Sequence, residues 1–134
     1  MSDEKVEVAI VALNFYTPFL YVKHICERRF SAVSVRIVNN YTNLLEQVAD
    51  SKMLVVYYHA TFVDENREEL AKQTDELVTT SIERGIPVGT IYAAMGKSVY
   101  PRVKGSLFDQ STSLLDFNSF LPDEVGKWLE TYEG

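Results

Sequence analysis

The sequence is short of the residues from which compact reactive sites are built. It has one cysteine and two histidines in 134 residues, and only four prolines and six glycines. A lone Cys26 cannot form an internal disulfide, and with His24 and His59 it cannot complete a structural zinc site, so no metal is expected. No apolar run approaches the roughly 20 residues needed to span a bilayer. No basic amphipathic helix offers a membrane-surface anchor either. Basic charge is scarce, with 13 Lys and Arg against 19 Asp and Glu for a formal net charge of −6. Nucleic-acid binding needs a concentrated basic surface, so no nucleic-acid partner is expected. The leading Met1-Ser2-Asp3-Glu4-Lys5 is acidic and polar, unlike the basic lead of a secretion signal, and a cytoplasmic location is expected.

Phosphate-binding signatures are missing as well. Neither G-x-G-x-x-G nor G-x-x-x-x-G-K-[ST] occurs, and Gly96-Lys97 and Gly126-Lys127 lack the preceding glycine cradle. A phosphoacceptor site would need acids after the first strand and an Asp after the third, where this chain has Asn14 and His59. A flavodoxin-type phosphate loop would need a Ser/Thr- and Gly-rich turn where Phe15-Tyr16 stands. No cofactor is expected on these grounds.

What is present is the balance of an ordinary globular domain, 46% hydrophobic and 24% charged. The length suits a single domain over residues 1–134, with no repeat, linker or low-complexity tract. Val6 to Leu13 starts with alternation and becomes continuously apolar, the pattern of a strand buried on both faces. Thr17-Pro18 reads as N-cap and first residue of a helix that ends near Arg28-Arg29. Val33 to Val38 alternates strictly, as an edge strand would. Asn43 and Glu46 resemble a capping box opening a short helix to about Ser51.

Met53 to Tyr58 is a second buried strand, and Glu65 to Arg84 a long polar helix with a narrow stripe of Leu70, Leu77, Val78 and Ile82. Gly85 supplies its stop. Ile86 to Ala94 reads as a fourth strand, with Pro87 tolerated at its start. A loop follows, then a fifth strand at Ser113 to Phe117. Pro122-Asp123-Glu124 opens a last helix with Val125, Trp128, Leu129 and Tyr132 on one face. Alternating strands and helices imply right-handed crossovers. The expected fold is a flavodoxin-like three-layer α/β sandwich around a five-stranded parallel sheet of order 2-1-3-4-5.

Ligands of such sheets bind beyond the carboxyl ends of the strands. That rule selects Asn14, Phe15, Tyr16 and Thr17 after the first strand and Asn39 and Asn40 after the second. It selects His59 and Thr61 after the third, Gly96 and Lys97 after the fourth, and Asn118 after the fifth. Each has a plain alternative. His59 is a general acid or base, or simply a bond to a neighbouring loop. Cys26 sits on the apolar side of its helix and reads as core filler. Tyr57 and Tyr58 point to opposite faces, so at least one packs. Lys97, Arg102 and Lys104 form a basic cluster that could receive phosphate or simply be solvated. Residues 64–84 hold seven acids against three bases, a net of −4, most simply a solvated helix face.

Leu45 to Ile91 resembles the middle of TIR-like domains and of nucleoside deoxyribosyltransferases. The matching features are Ala49-Asp50-Ser51 before the Met53 to Tyr58 strand, an acid-containing helix after it, and Arg84-Gly85-Ile86-Pro87-Val88 entering the next strand. Tyr100 to Gly105 and Leu114 to Phe117 resemble the tail of TIR-like chains. In enzymatic members of both groups a glutamate on the helix after the third strand acts at the ribose carbon as an N-glycosidic bond breaks. The resemblance implies that role for Glu69, with Glu68 the second choice. The Ser-x-Trp-Cys element usual before the TIR glutamate is absent, with Asn66-Arg67-Glu68 in its vicinity, and so is the transferase Gly-rich turn.

Two functions follow as expectations. The first is a non-catalytic signalling or assembly domain, in which the acidic third helix and the basic loop meet a protein partner or a second copy head to tail. The second is an enzyme that cleaves an N-glycosidic bond of a nucleotide or nucleoside through Glu69. Tyr16 or Phe15 would then stack on the base, and Asn14, Thr61 or Asn118 would hold sugar hydroxyls. Sensing a nucleotide at the same rim without turnover is a third outcome.

Overall fold

Alternate residues of a strand face opposite sides, and the chain exploits this on both faces of its central strands. A computed structural model describes residues 5–12, 17–40, 42–58, 68–93, 108–112 and 117–132. The elements are β1 (Val6–Val11), α1 (Thr17–Arg29), β2 (Val33–Val38), α2 (Leu44–Gln47) and β3 (Met53–Tyr58). They continue with α3 (Glu68–Glu83), β4 (Val88–Ala93), β5 (Phe108–Thr112) and α4 (Phe117–Thr131). Parallel pairing gives the core order β2-β1-β3-β4, and residues 108–112 pair in parallel with the far side of β4.

Val8, Ile10 and Ala12 of the β1 segment point to one side with Val33 and Val35 of β2 and Met53, Val55 and Tyr57 of β3. There they meet Phe19, Val22 and Cys26 of α1 and Leu121, Val125 and Trp128 of α4. Ala9 and Val11, with Val38, Leu54, Val56 and Val88, point the other way onto Leu44 and Val48 around α2 and Leu77 and Val78 of α3. The sheet is therefore covered by helices on both faces, which is why β1 and β3 read as nearly unbroken apolar runs.

The boundaries of α1, β2 and β3 agree with the sequence reading. Gly85 takes φ +81° after α3, the left-handed turn that its lack of a Cβ permits. Several expectations are corrected. The Asn43–Glu46 capping box does not form: Asn43 is itself left-handed (φ 52°, ψ 52°) and its side chain makes no cap bond. Asn40 instead ties the turn before the helix to its last residue, its Oδ1 accepting from the Thr42 amide at 3.1 Å and from Gln47 Nε2 at 3.1 Å. Helix α2 ends at Gln47 instead of running to Ser51, and Val48–Asp50 form a turn.

Of the fifth strand expected at Ser113–Phe117, residues 113–116 lie outside the described residues. The segment that pairs with β4 is Phe108–Thr112, and Phe117 already belongs to α4. A strand with a neighbour on one side only is held by backbone pairing, which hydropathy does not report. Helix α4 also starts before Pro122, which lies inside it. An interior proline costs about 3 kcal/mol. Full burial of Leu121 and Val125 contributes about 1.5–3 kcal/mol each, enough to hold the helix through it. The loop expected from Met95 to Gly105 lies outside the described residues.

Candidate functional site

Every strand of a parallel sheet points its carboxyl end the same way, so the helices that follow start along one edge. Thr17 is the first residue of α1, after β1; Glu68 and Glu69 open α3, after β3; Asn118 is the second residue of α4, after β5. The topology thus brings these four positions to the carboxyl edge. Asn14, Phe15, Tyr16, His59, Thr61, Gly96 and Lys97 lie outside the described residues, as do Arg102 and Lys104.

Cys26, expected as core filler, is core, and of the pair Tyr57 and Tyr58 it is Tyr57 that the structure shows packed. Cys26 is fully buried, and burial pushes its thiol up to about 12 despite the opposing field of Arg29. Tyr57 is 3% exposed with its ring 5.2 Å from that of Phe19, and burial pushes its phenol to about 12. A thiol held so firmly protonated is no nucleophile. His24 lies exposed on the outer side of α1. Among the described residues no three His, Cys, Asp or Glu side chains lie close enough together to hold a metal ion.

Other surfaces carry features that sequence patterns did not single out. Between α2 and α3 runs a groove of about 540 Å³, floored by Leu44 and Leu77 and edged by Leu45, Glu46, Gln73 and Glu76. Leu45 is 37% exposed, an uncovered apolar side chain beside two carboxylates. On the opposite layer, Leu20 and Tyr21 of α1 are 45% and 70% exposed, with His24 and Arg28 exposed one and two turns on. Helical spacing places these on one strip. At the amino edge a smaller hollow of about 370 Å³ lies among Ser51, Lys52, Pro87, Trp128 and Tyr132.

At the side of β2 away from β1, two side chains of α1 reach the strand backbone. Glu27 Oε2 accepts from the Val35 amide at 2.8 Å, and Lys23 Nζ donates to the Val35 carbonyl at 2.8 Å. Lys23 and Glu27 are also joined to each other at 3.0 Å. Burial by itself would raise the Glu27 carboxyl. The Val35 amide and the Lys23 ammonium, with the more distant Lys5, outweigh it and hold the pKa below the ordinary carboxylate value. An i,i+4 Lys-Glu pair on an amphipathic helix looks like any surface pair in a sequence; only the tertiary position of α1 aims it at a backbone.

No helix among the described residues is long and apolar enough to cross a membrane. No protein-family model matches the sequence, and comparison with characterised proteins gives no significant match.

Proposed function

We propose that the chain is a non-catalytic assembly or signalling domain, acting through protein–protein contacts of a flavodoxin-like sandwich of order 2-1-3-4-5. The observation that carries this reading is the exposed pair Leu20 and Tyr21, set on the helical layer opposite the groove that leaves Leu45 uncovered. One spot adds the cation Arg28, the other the carboxylates Glu46 and Glu76, so the two are complementary in charge as well as both apolar. Unlike surfaces on opposite sides of one molecule make a head-to-tail contact, which extends instead of closing on itself. Sedimentation of the protein over a range of concentrations, at low and high salt, tests this. Association that weakens with salt and is lost in Tyr21→Ser is the expected result. A strict monomer that also captures no partner overturns it.

A second reading has one observation in its favour: Glu68 and Glu69 stand in the first turn of α3, beyond the carboxyl end of β3. That is where the resemblance to TIR-like domains and nucleoside deoxyribosyltransferases places a glutamate acting on an N-glycosidic bond. In this reading a nucleotide or nucleoside is the ligand and Glu69 the carboxylate at the ribose carbon. Incubation with NAD or with deoxynucleosides and analysis of released base decides it. Turnover lost in Glu69→Ala supports the assignment; absence of any base release removes it.

A further inference from the structure

A strand at the border of a sheet exposes a row of unpaired amides and carbonyls, and proteins guard such borders against adding a further strand. β2 is the strand at the β1 side of this sheet. The Ala32 carbonyl accepts from the Val6 amide at 2.7 Å, and the Val38 carbonyl accepts from the Ala12 amide at 2.9 Å. Even-numbered residues of β2 therefore turn their peptide groups inward to β1, and Val33, Val35 and Ile37 turn theirs outward. The Val33 amide is already used within the preceding turn, donating to the Phe30 carbonyl at 3.0 Å. Val35, in the middle, has both of its outward groups bonded by Glu27 and Lys23.

We propose that the Lys23–Glu27 pair is a removable cover over a strand-addition site on β2, and that the segment this site accepts is β2 of a second copy of the chain. The pair supplies Val35 with one acceptor and one donor, the set that the facing residue of an antiparallel neighbour would supply. Two β2 strands brought together by a two-fold axis through Val35 place Val35 opposite Val35 as a doubly hydrogen-bonded pair. The same register sets Val33 opposite Ile37 and Ser34 opposite Arg36. Branched side chains meet branched side chains, and no like charges oppose. The strand is self-complementary in hydrogen bonding, shape and charge, and α1 occupies the central bonding position. Lys23 and Glu27 adjoin Leu20 and His24 on α1. The pairing uses the β2 backbone and not the Tyr21 side chain or the α2–α3 groove, so Tyr21→Ser tells it apart from the head-to-tail contact.

Three measurements on the full chain test it. By hydrogen exchange, the Val35 amide of the native protein is protected, and in Glu27→Ala it exchanges about tenfold faster, the scale of one charge-assisted bond. Ser34 and Arg36, bonded inward to β1, keep their rates. By sedimentation, Lys23→Ala/Glu27→Ala gains a concentration-dependent dimer that persists when Tyr21→Ser is added, which separates it from the head-to-tail contact. In the doubly substituted background, a mixture of Ser34→Cys and Arg36→Cys chains oxidises to the mixed disulfide in preference to either self-pair. A Val35 amide that exchanges freely in the native protein overturns the cover. So does a doubly substituted chain that sediments as the native one does. If that chain does not fold, the native exchange rate of Val35 still decides.

Discussion

Ser51 donates its hydroxyl to Glu7 Oε2 at 2.8 Å, joining positions 44 residues apart at the amino edge of the sheet. The other carboxylate oxygen of Glu7 accepts from Arg36 Nε at 3.2 Å, and the Glu7 carbonyl accepts from the Lys52 amide at 2.8 Å. One residue of β1 thus ties the end of the α2 turn to β2 and to the entry of β3. Ser51 is 3% exposed, so its hydroxyl has little access to water in place of the carboxylate. Ser51→Ala is expected to cost about 1–2 kcal/mol. A lower urea midpoint at unchanged slope checks it.

A Cβ on Gly126 would lie 2.8 Å from Cζ of Phe30, where α4 crosses the end of α1. The same crossing carries the Arg29–Asp123 pair at 2.9 Å, and the Arg29 guanidinium lies 5.3 Å from the Phe30 ring centroid. Alanine gains about 1 kcal/mol over glycine from helix propensity. Overpacking costs about 1–3 kcal/mol. Gly126→Ala is therefore expected to lower the melting temperature, and Phe30→Leu in the same chain to recover part of the loss. A melting temperature raised by Gly126→Ala alone would show that the ring moves aside freely.

Ser81 lies on the packed face of α3, 1% exposed, and its hydroxyl has no hydrogen-bond partner among the described residues. An unpaired buried hydroxyl costs about 1–3 kcal/mol. Ser81→Ala removes that cost and improves helix propensity, so the substitution is expected to stabilise by about 1 kcal/mol. Thermal denaturation measures it, and destabilisation would mean that the hydroxyl is bonded.

The bonds from Val35 and Lys23 give Glu27 a lower pKa in the folded chain than the ordinary value of 4.5. The unfolded state therefore takes up the proton first as pH falls. The stability this carboxylate contributes is complete above 4.5 and is lost as pH drops through the lower folded value. Comparing urea midpoints of the native chain and Glu27→Gln from neutral pH into the acid range should show the two curves converging at the acid end. Parallel curves would contradict it.

The strands β1, β2 and β3 were legible because their information is local. Alternation in Val33–Val38 and unbroken apolarity in Met53–Tyr58 report how many faces each strand buries. Cys26 was legible as a packing residue for the same reason, whereas alternation said only that at least one of Tyr57 and Tyr58 packs. β5 was not, because the polar Phe108–Thr112 is specified by pairing with β4, while Leu114-Leu115 offered a stronger hydropathy signal nearby. Pro122 misled in a related way: its local preference for a helix start was overridden by the burial of Leu121 and Val125. Of the carboxyl-edge residues, the structure places Thr17, Glu68, Glu69 and Asn118 at helix starts, as the strand–helix order requires.

The scarcity of cysteine, histidine and basic charge, together with the order of apolar segments, determined the class of the protein: an α/β chain with a parallel sheet. Periodicity is a property of neighbours along the chain, and it carries that far. Tertiary structure alone decided that Glu27 and Lys23 close over Val35, that Glu7 holds Ser51, and that Gly126 admits Phe30. These are meetings of residues distant in sequence, fixed by how helices lie on the sheet, and no local pattern records which side chain ends up opposite which backbone.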